Sequence, residues 1–109
     1  MIIDFKKIKE EKTSGFKGGE GAMIHTMVSD EYGKIIRGRL EPGSGIGLHT
    51  HETSSEYIFI LSGRGECTYD GETEIVEAGQ CHFCPKGHSH SMKNNGDEDL
   101  EFFCAVPEL

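Results

Sequence analysis

Positive charge is scarce in this chain: 11 Lys and Arg stand against 19 Asp and Glu among 109 residues, a formal net charge of -8 at pH 7 with His neutral. Binding to nucleic acid or to an anionic membrane surface needs clustered Lys and Arg to displace counterions and meet phosphates. The local basic runs, Lys6, Lys7 and Lys9 and the pair Arg37 and Arg39, read as solvated faces, so neither nucleic acid nor a membrane is an expected partner. No apolar run approaches the ~20 residues of a membrane-spanning helix. An export signal is also missing from view, because Asp4 interrupts the apolar start Met1-Ile2-Ile3, where such a signal needs a longer apolar stretch. The expected compartment is the cytosol. There Cys67, Cys81, Cys84 and Cys104 are expected as reduced thiols, not as a disulfide framework.

Helical periodicity is lacking as well. From Glu20 onward no stretch sustains a helical apolar period over about ten residues. What the chain does have is 15 glycines, which punctuate short runs of Ile, Val, Phe, Tyr and Thr in the pattern of many strands joined by turns. The fold class is therefore all-β, a sandwich or barrel. Strands are expected near 23–28, 34–41, 46–51, 56–61, 65–70, 73–77, 80–84, 88–93 and 99–106. Tyr69-Asp70-Gly71-Glu72 carries the Asp-Gly pair of a tight hairpin, and Gly33, Gly63, Gly79 and Asn94-Asn95-Gly96 mark other corners. A helical turn or two is expected over Asp4–Glu11, in competition with a strand over Ile2–Phe5, and Lys17–Gly21 reads as a mobile loop.

The length fits one domain. Residues 1–22 are expected as an N-terminal extension packing on the barrel or on a neighbouring subunit, and 23–109 as the single barrel. A domain of this size leaves roughly a third of its unfolded-chain surface exposed, so a second copy would help to cover it. Residues 56–61 point the same way. Alternation puts Glu56, Ile58 and Ile60 on one face and Tyr57, Phe59 and Leu61 on the other, and both faces are largely apolar. One face suits the barrel interior and the other a second sheet or a second subunit, so a homodimer is expected.

Five of the six histidines lie between 49 and 90. His49 and His51, two residues apart in a strand, project from one face, and Glu56 follows five residues later. Imidazoles with a carboxylate suit a borderline divalent ion, one of Mn, Fe, Co, Ni or Zn, better than Mg or Ca. His90 offers a fourth donor. Three His and one Glu leave coordination positions open for water or substrate, as catalysis requires. His88 is in phase with His90 if the strand runs straight, and it is a candidate proton carrier or substrate contact. His25, between Met23 and Met27 on its side of a strand, is a packed barrel residue or a second such carrier, and His82 reads as structural.

Cys81-His82-Phe83-Cys84 contains a CxxC. In a strand these two thiols face opposite ways, so they read as free cysteines and not as a zinc clamp. Arg37 and Arg39 share a face, while Ile36, Gly38 and Leu40 form the better interior set; the arginines are expected outside.

The residues then form two longer patterns. Gly43 to Gly63 reads G(x)5HxH(x)4E(x)6G, on Gly43, His49, His51, Glu56 and Gly63, and Gly79 to Asn94 reads G(x)5PxG(x)2H(x)3N, on Gly79, Pro85, Gly87, His90 and Asn94. These resemble the two motifs of the cupin family. The resemblance implies a double-stranded β-helix, or jelly-roll barrel, with one divalent transition-metal ion per chain held in its mouth by His49, His51, Glu56 and His90.

Activity is less determined, because the family includes dioxygenases, decarboxylases, isomerases, epimerases, lyases and non-catalytic sensors, and fold does not fix function. Bicupin oxalate decarboxylases carry an arginine three residues before the first metal histidine, and this chain has Ile46 there. The leading expectation is a metal-dependent enzyme of oxygenase, decarboxylase or isomerase type. It would act on a small, polar, metal-chelating molecule, with Glu56 as ligand and base and His88 or His25 as proton carrier. The alternative is a non-catalytic metal- or ligand-binding or sensor module, recognisable by His25 and His88 turning away from the pocket.

Overall fold

The computed structural model describes residues 1–108. Ten strands form in chain order: β1 (Glu11–Ser14), β2 (Ala22–Asp30), β3 (Gly33–Leu40), β4 (Gly45–Thr50), β5 (Glu56–Ser62), β6 (Arg64–Tyr69), β7 (Glu72–Glu77), β8 (Cys81–Cys84), β9 (Ser89–Lys93) and β10 (Leu100–Pro107). They pair antiparallel into a six-stranded sheet, β1-β2-β3-β10-β5-β8, and a four-stranded sheet, β4-β9-β6-β7. This is the jelly-roll arrangement of a double-stranded β-helix, and nine of its strands lie where the alternation of the sequence puts them.

Alternation fixes which face is buried. In β10 the inward positions Leu100, Phe102 and Cys104 are at most 1% exposed; they sit beside Ile58 and Ile60 of the neighbouring β5 and meet Met92 and Cys67 from the opposite sheet in one core. Gly38 makes room for the largest of these side chains, since a Cβ there would stand 2.6 Å from the Phe102 ring. Arg37 and Arg39 lie on the outer face as expected, paired with Glu101, Glu10 and Asp99. The outward side of β5 is apolar too: Tyr57, Phe59 and Leu61 are each 40–44% exposed, beside Phe83 on β8.

The hairpin at Asp70-Gly71 joins β6 to β7 with both residues at positive φ, 48° and 85°, as a two-residue primed turn demands. Among the described residues no helix is long and apolar enough to cross a membrane.

Two expectations about the N-terminal region need correction. The helical turn over Asp4–Glu11 shrinks to a 3-10 turn at Phe5–Lys7, where the Asp4 side chain accepts from the Lys6 N–H, and no strand forms over Ile2–Phe5. Ile8 is already extended. The chain then pairs as β1 with β2, Glu11 opposite His25. The Lys17–Gly21 segment is also no free loop: Phe16–Gly18 form a second 3-10 turn, and Glu20 accepts from the Gly45 N–H at the start of β4.

All four cysteines are free thiols, Cys81 exposed and Cys67, Cys84 and Cys104 buried, so the two ends of the CxxC do face opposite ways. Burial pushes the Cys67 thiol up to about 12 and the Cys84 thiol up to about 11, with nearby carboxylates adding to both shifts. Burial lifts Cys104 well above the usual range. A thiol whose pKa is raised holds almost no reactive thiolate at pH 8. Iodoacetamide at pH 8 is therefore expected to alkylate the folded chain once, at Cys81, and the denatured chain at all four cysteines; mass spectrometry showing rapid modification of a second site in the folded protein would contradict the packing described.

Candidate metal centre

The mouth of the barrel is built on an irregularity in β4. Ile46 pairs with Met92 and His49 with His90, so three steps on β4 match two on β9 and the register shifts between them. Such a bulge changes side-chain phase. Ile46 stays in the core at 7% exposure and Leu48 swings out at 67%, while His49, an odd number of residues from Ile46, shares its inward face.

Gly47 sits in this bulge and serves two contacts. Its carbonyl accepts a hydrogen bond from His49 Nδ1 at 2.8 Å. Its missing side chain lets the Phe16–Gly18 turn lie over the strand, because a Cβ there would stand 2.0 Å from the Lys17 carbonyl. With Nδ1–H committed to Gly47, the lone pair of His49 is left on Nε2, aimed inward.

His51 follows the end of β4, and its backbone is held by the turn after Pro85: its N–H donates to the His88 carbonyl at 3.0 Å, and its carbonyl accepts from the Gly87 N–H at 2.6 Å. Glu56 opens β5 with its side chain inward, and His90 lies on β9, only 1% exposed. One donor atom from each of His49, His51, Glu56 and His90 lies within 4.8 Å of the others. His51 Nε2 is 3.0 Å from Glu56 Oε1 and 2.9 Å from His90 Nε2, and His90 Nε2 is 3.1 Å from His49 Nε2 and 3.0 Å from Glu56 Oε1.

Three imidazole nitrogens facing one another at this separation cannot all present lone pairs without a proton or a cation among them. Burial pushes the Glu56 carboxyl up, but hydrogen bonds from His51 and His90, helped by their charge, prevail and hold it well below the ordinary carboxylate range. Burial lowers the His49 pKa from 6.5. Both residues thus favour the deprotonated forms in which they donate electron pairs, and three nitrogens with one oxygen are a donor set suited to a divalent transition metal.

Beside the cluster lies a cavity of about 300 Å³, lined by His49, His51 and Glu56 and on the other walls by Phe16, Lys17, Lys34, Ile36, Ile46 and Glu52, among others. His25 and His88 are not on this wall. His88 precedes the start of β9, and its side chain, 42% exposed, bonds to the Asp70 carboxylate and lies 3.2 Å from the Tyr69 hydroxyl. The Asp70 hairpin captures the imidazole that the straight-strand argument directed to the site. His25 is 4% exposed, with Nε2 3.0 Å from Thr13 Oγ1, a contact that exists because β1 pairs with β2.

His82 reads from the sequence as structural, and the structure puts it against the cluster: its Nε2 is 3.0 Å from His90 Nδ1 and its Nδ1 is 2.5 Å from Glu74 Oε1. The available signal was its phase with Cys84 on the inward face of β8. Its partner His90 lies in the other sheet, which no local pattern reveals.

Comparison with known proteins bears on the family and the fold. The family model for the Cupin domain matches residues 36–106. A protein of Thermotoga maritima named an oxalate-binding protein is 34% identical over 97% of this chain and 93% of its own length. A crystal structure from Thermotoga maritima, described as a predicted oxalate decarboxylase, superimposes with a TM-score of 0.92 at 32% identity, covering 100% of both chains. The fold alone is shared with a polyketide cyclase from Streptomyces resistomycificus, at 20% identity and a TM-score of 0.77 over 98% of this chain and 78% of that one.

The His49–Gly47 contact makes the tautomer of one imidazole testable. In long-range proton–nitrogen spectra of the metal-free protein at pH 7.5, His49 is expected to carry its proton on Nδ1 and to titrate below 6.5; a proton on Nε2 would mean that the bulge does not aim the lone pair inward.

Proposed function

The chain belongs to the cupin family, and from that premise we propose that it holds one divalent transition-metal ion on His49, His51, Glu56 and His90 and there binds a small metal-chelating carboxylate, with oxalate as the first candidate. One observation carries the ligand class: the cavity that opens on the donor cluster is also lined by Lys34, on β3, and by Lys17. Among the described residues neither lysine makes an ion pair, although Lys17 Nζ stands 5.9 Å from the Phe16 ring centroid. Cationic side chains on the wall of a metal site suit an anion that chelates at one end and carries charge at the other.

When bound, the ion supplies a Lewis-acid anchor for carboxylate oxygens. The chain's own residues do the rest. Ile46 stands where oxalate decarboxylases of the family carry arginine, so this cavity draws its positive charge from Lys34 and the Phe16–Gly18 turn instead. Met23, Ile36, Ile46 and Val106 line the cavity with apolar surface, and displacing water there strengthens the attraction between ammonium and carboxylate. Thr50, Thr53 and Ser54 add hydroxyls to the wall.

Binding is favoured over turnover because His25 and His88, the independent proton carriers that an enzyme of this kind would use, do not line the cavity. Turnover has one observation of its own: Glu52 lines the cavity as a second carboxyl beside Glu56.

Calorimetric titration of oxalate into manganese-loaded and zinc-loaded protein is expected to give saturable binding that vanishes when the metal is stripped, and Lys34→Met is expected to weaken it at least about tenfold, or about 1.4 kcal/mol. Equal binding to the metal-free protein, or none to either loaded form, overturns the reading. Oxalate consumed during the titration, with loss of that activity in Glu52→Gln, moves the assignment from binding to catalysis.

A further inference from the structure

His82 and Glu74 have no part in the donor cluster, yet they are linked to it. The His82 side chain is fully buried, and its ring lies edge to edge with that of His90, with centroids 5.2 Å apart and planes 14° from parallel. Its Nε2 lies 3.0 Å from His90 Nδ1 and its Nδ1 2.5 Å from Glu74 Oε1, while the Glu74 side chain is 51% exposed. β7, which carries Glu74, and β8, which carries His82, are the free edges of their two sheets. The contact therefore bridges the seam of the barrel, from the solvent to the most buried imidazole of the cluster.

The hydrogen positions along this line have one consistent solution when His90 Nε2 donates to an ion. The proton of neutral His90 then sits on Nδ1 and donates to His82 Nε2. His82, neutral in turn, carries its proton on Nδ1 and donates to the Glu74 carboxylate. Every donor has an acceptor and the line ends in a negative charge. A carboxylate hydrogen-bonded to a ligand imidazole raises the ligand's basicity and fixes its tautomer, and here a second imidazole stands between the two.

We infer that Glu74, acting through His82, is a positioning residue for the metal: its surface carboxylate, linked to His90 through the His82 ring, strengthens His90 as a ligand and sets the affinity of the centre. This rests on the proposed metal binding at His90. A plain structural latch across the seam is the competing account, and the two separate because Gln keeps an acceptor for His82 Nδ1–H while removing the charge.

The experiment compares wild type, Glu74→Gln, Glu74→Asp and Glu74→Leu by competition with a chelator for manganese and for zinc. It also records the thermal midpoint of each metal-free form. Glu74→Gln is expected to lower metal affinity at least about tenfold with its metal-free midpoint unchanged, and Glu74→Asp to restore part of the loss. In cobalt-loaded protein the exchangeable, paramagnetically shifted proton of His90 Nδ1 is expected in wild type and shifted in Glu74→Gln. If Glu74→Gln binds metal within about twofold of wild type while Glu74→Leu does not, the contact is a latch and the inference fails. If wild type itself binds no ion, the proposed function fails first and the two failures remain distinct.

Discussion

Four electron-pair donors held within 4.8 Å of one another in a partly dry barrel mouth repel unless something positive lies among them, and much of this chain's irregular structure serves to hold them there. His49 points inward because β4 bulges after Ile46, and its lone pair is on the correct nitrogen because Gly47 offers a carbonyl to the other. His51 stands beyond the strand, tied by backbone bonds to the turn through Gly87 and His88. Glu56 and His90 come from different sheets, brought together by the core that β10 buries. The bulge in β4 costs some regularity in the ladder and places His49.

The proposed recognition of a carboxylate ligand draws on the same placement. The motif that aims His49 and His51 also puts Ile46 on the cavity wall, at the position where bicupin oxalate decarboxylases carry an arginine. Lys34 and Lys17 line the wall from elements far away in sequence. The Phe16–Gly18 turn reaches the mouth only because Gly47 and Gly19 carry no side chain at the point of contact, where a Cβ at either would fall about 2 Å from a backbone oxygen. The pocket is thus assembled by close backbone approach as much as by the motif residues.

Most of the fold is legible in the sequence because alternation and glycine punctuation are local signals. The two motifs bring His49, His51, Glu56 and His90 into register over residues 43–94, a spacing that only a folded barrel makes compact. What was not legible depended on partners distant in sequence. β1 is Glu-Lys-Thr-Ser, too polar and too short to signal a strand, and it forms because β2 offers an edge. The bulge at Gly47 leaves no mark in a pattern of alternation that simply continues past it. His88 satisfies the phase argument, but the side chain turns to Asp70 in a hairpin from another strand pair. The phase of His82 with Cys84 marks it only as inward-facing, and the folded barrel alone shows it against His90.

The most direct test of the metal centre is anomalous diffraction from crystals of protein purified without chelator or affinity metal, recorded on both sides of the absorption edges from manganese to zinc. The account predicts one anomalous peak per chain, about 2.0–2.2 Å from Nε2 of His49, His51 and His90 and from a Glu56 carboxylate oxygen, with its element identified by the edge. Crystals whose four side chains surround only water, even after soaking in each of these ions, would contradict it.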